Sequence, residues 1–80
     1  MSRARDVVEV VARALAAKPD EVEVTEYDRR GQIVVELTMA PGELGRVIGR
    51  QGRTATAVRA LATAAADLDG QRVAVDFRDD

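Results

Sequence analysis

Cysteine and histidine are both absent from the 80 residues. Without cysteine there is neither a disulfide framework nor a thiolate nucleophile. Without either residue the usual zinc ligands and the commonest general base are missing. Tryptophan is missing too, and Tyr27 and Phe77 are the only aromatics. The sequence therefore offers no stacking platform of the kind that gives aromatic readers of single strands roughly 1–3 kcal/mol per base. No apolar run approaches the ~20 residues that cross a bilayer. Ser2-Arg3-Ala4-Arg5-Asp6 leads into the first amphipathic segment with no signal-peptide pattern. A cytoplasmic protein, without membrane contact and without a cofactor, is expected.

An overall excess of base is lacking as well, since the net charge is −2. Taken alone, that counts against a nucleic-acid partner, because Lys and Arg supply most of the attraction to phosphate. The distribution of the charges points the other way. From Ala40 to Ala66 the four arginines Arg46, Arg50, Arg53 and Arg59 meet a single acid, Glu43, for a local charge of +3. A basic face on a weakly acidic body implies binding that is modest and steeply salt-sensitive.

The length suits one small domain over residues 1–80, ordered from about residue 6 to residue 77, with Asp79 and Asp80 fraying. Asp6 to Lys18 reads as a first helix, on the recurrence of Val7, Val11, Ala14 and Leu15 with Val8 and Ala12 widening the stripe. Pro19 ends it, because the residue before a proline is pushed out of the α region. Glu21 to Tyr27 and Gln32 to Met39 alternate apolar and polar residues about the turn Asp28-Arg29-Arg30-Gly31, so they predict an antiparallel hairpin. A short helix from Glu43 to Ile48 follows, with Leu44, Val47 and Ile48 facing inward. A third helix opens on Thr54 as N-cap and carries Ala57 or Val58, Leu61, Ala65 and Leu68 towards the core, ending near Asp69-Gly70. Gln71 to Phe77 reads as the last strand. The order α-β-β-α-α-β predicts an α+β domain, a three-stranded mixed sheet with all helices on one face.

The stretch Arg46-Val47-Ile48-Gly49-Arg50-Gln51-Gly52-Arg53-Thr54 stands at the junction of the second and third helices. Gly49 and Gly52 permit positive φ and close approach of a bulky group. Arg50 and Gln51 place donors between them, and Arg46 and Arg53 add charge on either side. The spacing alone says little, for Gly42-Glu43-Leu44-Gly45 repeats it. There Glu43 has the wrong sign for phosphate, and that copy reads as structural. The copy at 49–52 has the composition of a phosphate-backbone site.

With its flanking helices, Val47-Ile48-Gly49-Arg50-Gln51-Gly52-Arg53-Thr54 resembles the signature of a KH domain, and the element order resembles the type II, prokaryotic arrangement. A free-standing chain of this size resembles the small bacterial KH proteins of the KhpA family, over essentially its whole length. The resemblance implies sequence-tolerant binding of single-stranded RNA, about four nucleotides long, with the loop clamping the backbone. It implies that Gly49 and Gly52 admit the sugar-phosphate, that Arg50 and Gln51 donate to it, and that the amides opening the third helix add their dipole. Ile48, with Val47 behind it, would floor the groove. It further implies a KhpB-like KH protein as partner, with homodimerisation as the other option, and an RNA-chaperone role touching cell-wall synthesis and cell length. The residues themselves carry no sign of the cell-wall link.

An enzyme is the first rival. Gly52-Arg53-Thr54 looks like the end of a phosphate-binding P-loop, but that motif needs glycine where Val47 stands and lysine where Arg53 stands. No carboxylate pair or nucleophile with a base is recognisable, and no enzymatic activity is expected. The second rival is a protein-docking module with a vestigial RNA site, its alanine-rich third helix offering a flat face to a partner.

Overall fold

The computed structural model describes residues 2–78, so the fraying expected of Asp79 and Asp80 lies outside the described residues. Helix α1 runs Arg3–Leu15, strand β1 Glu23–Arg29, strand β2 Gln32–Thr38, helix α2 Gly45–Ile48, helix α3 Arg53–Leu68 and strand β3 Arg72–Arg78. The sheet order is β1-β2-β3, with β1 antiparallel to β2 and β2 parallel to β3. A parallel pair requires a crossover, and α2 and α3 supply it. The expected α+β order and mixed sheet are therefore present. None of the described helices is long and apolar enough to cross a membrane.

Local chemistry moves several boundaries. Helix α1 starts three residues before Asp6, because the Ser2 hydroxyl accepts from the Arg5 amide at 3.0 Å and caps it. It ends at Leu15 rather than Lys18. Ala16 is already extended (φ −75°, ψ 142°), and the Glu43 carboxylate accepts the amides of Ala17 and Lys18. Pro19–Glu21 then form a single 3₁₀ turn, which delays β1 by two residues relative to the sequence pattern. The hairpin closes through Arg30 and Gly31, both at positive φ (52° and 83°). Such a turn matches the right-handed twist of its strands, and the Asp28 carboxylate accepts the Gly31 amide at 2.9 Å.

The core lies between the helices and one sheet face. Val24, Ile33, Val35, Leu37 and Val75 meet Ala4, Val8 and Ala12 of α1, Val47 of α2, and Val58, Ala62 and Ala66 of α3. This corrects both helical stripes. On α1 the buried row is Ala4, Val8 and Ala12, whereas Ala14 and Leu15 are exposed. On α3 Ala55, Val58, Ala62, Ala65 and Ala66 are buried, while Ala57 is exposed and Leu61 and Leu68 are 51% and 76% exposed. The cause is steric: helix axes approach as closely as the side chains between them allow, and alanine allows the closest packing. Hydrophobicity alone would have put the leucines inside. Val34 is buried on the opposite sheet face, paired between Tyr27 and Ala74.

Arg5 fastens α1 to the sheet. Its side chain is 13% exposed, its Nε and Nη2 donate to the Val24 carbonyl at 3.2 and 3.0 Å, and its Nη1 donates to Glu9 at 2.9 Å. The hydrogen bond from Arg5 holds the Glu9 carboxyl below the usual carboxylate range, and Glu9 in turn raises Arg5.

Candidate nucleic-acid interface

Helix α2 is one turn long, shorter than the Glu43–Ile48 span expected, because Leu44 rather than Glu43 stands at its N-cap. Its last hydrogen bond is donated by the Gly49 amide to the Gly45 carbonyl at 2.9 Å. The backbone then reverses. Gly49 adopts φ 75°, ψ 178°, a region essentially closed to side chains, and Gln51 and Gly52 follow at φ 58° and 73°. A Cβ on Gly49 would stand 2.7 Å from Thr54 Cβ and 3.1 Å from its amide nitrogen. Gly49 is therefore required twice, by its dihedrals and by the threonine packed beneath it. Around Gly52 nothing lies within 4 Å of the Cβ position, so that glycine is required by its φ and leaves open space.

Helix α3 departs from the expected cap. It begins at Arg53, with left-handed Gly52 at the N-cap and no side chain accepting its first amides. Thr54 lies inside the first turn, half-buried against Gly49, and caps nothing. Thr56 donates its hydroxyl to the Gly52 carbonyl at 3.0 Å. The amino end of a 16-residue helix is thus left without a side-chain acceptor, and its first turn holds no acid. The Arg53 amide donates to the Arg50 carbonyl of the preceding 3₁₀ turn Arg50–Gly52, so what this end offers an anion is the positive end of the helix dipole with no carboxylate to offset it.

Arg3, Arg5, Arg13, Lys18, Arg46 and Arg78 each have a carboxylate within 4.0 Å. Among the described residues, none of these pairs involves Arg50, Arg53 or Arg59, nor Arg29, Arg30 and Arg72 at the hairpin end of the sheet. Arg50, Gln51 and Arg53 are exposed, and Ile48, Gly49 and Gly52 are half-buried beside them. Arg46 is exposed but leans back 3.6 Å from Glu43. Glu43 is itself buried, bound to the Ala17 and Lys18 amides, so the first glycine pair frames a structural carboxylate. The hairpin arginines sit elsewhere. Arg30 forms the β1–β2 turn beside the start of β2, whereas the glycine loop is reached from β2's far end, and seven residues of strand span roughly 20 Å.

One contact escapes the sequence pattern. The Arg59 guanidinium lies over the Phe77 ring, 4.7 Å from its centroid, and donates to the Val75 carbonyl. Only tertiary structure brings these positions on α3 and β3 together.

The sequence family described as KhpA/KhpB, KH domain, matches residues 5–77. A protein of Aquifex aeolicus (strain VF5) named RNA-binding protein KhpA is 43% identical over 77 residues, which are 96% of this chain and 98% of the relative. A protein of the same name from Leifsonia xyli subsp. xyli is 47% identical over 70 residues, 88% of this chain and 90% of that one. A crystal structure of Aquifex aeolicus Era bound to GDP.AlF4- superposes with a TM-score of 0.65 at 18% identity over 95% of this chain. The chain spans 29% of Era, and at that identity the likeness concerns the fold alone.

Proposed function

The chain belongs to the KhpA/KhpB KH-domain family, and on that premise we propose that it binds single-stranded RNA by clamping the sugar-phosphate backbone at the Gly49–Gly52 loop. The observation that carries the proposal is the bend itself. Three positive-φ residues turn the backbone so that the uncapped end of α3 and the unpaired Arg50 and Arg53 share one exposed tip. In this reading Gly49 and Gly52 admit a phosphate, Arg50 and Gln51 donate to it, and the amino end of α3 adds the helix dipole. Ile48 supplies an apolar floor beside the loop. Arg46 contributes charge at longer range, since Glu43 shares it. Contacts to phosphate carry no base information, so the binding is sequence-tolerant, as suits an RNA chaperone.

The test is RNA binding across a salt series by the wild type and by a variant with Arg50→Asp and Gln51→Asp together. About three neutralised phosphates give a slope of log K against log salt near −2 for a single strand. The variant should fold normally, bind far more weakly at low salt and show a shallower slope. Equal binding by the two proteins would remove the loop from the site.

A second reading concerns partners, and a specific observation favours it. Ala57, Leu61, Ala64 and Leu68 are all exposed on α3 at spacings of four, three and four residues. They form an apolar stripe along one flank of the buried row. The stripe suits a second KH protein, a KhpB-like chain or another copy of this one, docking there while the loop holds RNA. Sedimentation of the wild type and Leu61→Glu, each alone and with the KhpB-like protein, tests it. Unchanged association of the variant would refute it.

A further inference from the structure

Arg59 differs from Arg50 and Arg53 of the loop in being held, as Arg29 of the hairpin is by the Tyr27 hydroxyl at 2.8 Å and by the ring 5.5 Å away. Its guanidinium carbon lies 4.7 Å from the centroid of the Phe77 ring, and its Nε and Nη2 both donate to the Val75 carbonyl at a long 3.4 Å. Val75 and Phe77 belong to β3, which pairs with β2 on one side only. The Arg59 side chain thus reaches from α3 to an edge strand of the sheet. Its planar head is fixed by a ring and a carbonyl, while the residue as a whole stays exposed.

We propose that Arg59, backed by Phe77, is a base-stacking platform, its outer guanidinium face receiving one nucleobase of a strand whose backbone the glycine loop holds. The proposal rests on the loop reading above and adds to it a contact with the base. Guanidinium planes stack on nucleobases much as aromatic rings do, and an aromatic face behind the cation favours its position. The placement fits the reach of the strand. Arg59 follows Gly52 by seven residues, about 10 Å along the helix axis, within the span of the roughly four nucleotides a KH loop clamps. The platform also supplies what the composition lacks. Tyr27, the other aromatic, is on β1, two strands away from β3. Lysine would keep the charge of Arg59 and lose its plane, which separates stacking from attraction to phosphate.

The experiment compares wild type and Arg59→Lys, both checked for folding by thermal unfolding, on two fluorescently labelled strands: an eight-residue oligoadenylate RNA and an abasic ribose-phosphate chain of the same length. Arg59→Lys should bind oligoadenylate at least fivefold more weakly, the lower end of what one stacked base contributes. It should match wild type within twofold on the abasic chain. Phe77→Leu, which keeps apolar volume and removes the ring, should show the same split. Equal binding of oligoadenylate by wild type and Arg59→Lys, or an equal loss on both strands, would overturn the platform. The variant carrying Arg50→Asp and Gln51→Asp should weaken both strands alike. Unchanged binding by that variant marks failure of the loop reading, separately from anything Arg59 does.

Discussion

Replacing Gly49 by alanine should be far more damaging than replacing Gly52, although the two glycines share one motif. At φ 75°, ψ 178° Gly49 occupies a region where a side chain costs on the order of 1–3 kcal/mol. The new Cβ would also meet Thr54 Cβ at 2.7 Å, well inside the ~3.5–4.0 Å of a favourable carbon contact. Together these imply a loss of about 3 kcal/mol. For a domain of this size, 1 kcal/mol moves the melting temperature by roughly 4–8 °C, so Gly49→Ala should melt about 12–24 °C below wild type. Gly52 has φ 73°, ψ 12° and open space around its Cβ position. Only the left-handed cost of about 1 kcal/mol applies there. Gly45, inside α2 and without positive φ, should tolerate alanine or gain up to about 1 kcal/mol. The assay is thermal unfolding by circular dichroism of the three single variants and of Gly49→Ala combined with Thr54→Ala. The second change removes the threonine hydroxyl, the nearest obstacle, and should recover part of the loss. Equal melting temperatures for Gly49→Ala and Gly52→Ala would refute the packing of Thr54 beneath Gly49.

Other substitutions probe the scaffold that presents the loop. Glu43→Ala should cost about 1–3 kcal/mol, since it strands the Ala17 and Lys18 amides, while Arg46→Ala at the exposed end of the same pair should cost under about 1 kcal/mol. Both are read from urea midpoints. Glu9→Gln should lower the melting temperature at neutral pH and converge with wild type in acid. The folded state holds the Glu9 carboxyl low, so its contribution is complete above the ordinary glutamate range near pH 4 and is lost as pH falls through the folded value. A gap that persists at pH 2 would contradict that sign. Ala62→Leu should destabilise by about 1–3 kcal/mol through overpacking, whereas Leu61→Gln one residue away should stay within about 0.5 kcal/mol. The reverse ranking in chemical denaturation would show that the faces of α3 were misplaced.

The order of elements, the hairpin and the mixed sheet were legible because strand alternation and turn chemistry are local. Ile33, Val35 and Leu37 announce one face of β2 by period alone, and Pro19 announces the end of a helix. The helical faces were less legible. Alanine carries little hydrophobic signal, so Ala4, Ala62 and Ala66 did not outrank Leu15, Leu61 and Leu68 until the close approach of α1 and α3 put small residues between them. The glycine loop could be named from its residues, but not the reason that Thr54 is present. It reads as an N-cap in sequence and packs against Gly49 in space. Glu43 and Arg59 were illegible as anchors for a shared reason. Their partners lie 25 or 26 and 16 residues away, beyond any local pattern.

Titration of isotopically labelled protein with a short single-stranded RNA, followed by amide chemical shifts, addresses the loop most directly. The largest shifts should fall on Gly49 to Thr54, with lesser ones at Ile48 and Arg59, and should fade as salt is raised. Shifts confined to the exposed face of α1 or to the β1–β2 turn, with Gly49 to Thr54 unmoved, would contradict the assignment of the loop as the RNA clamp.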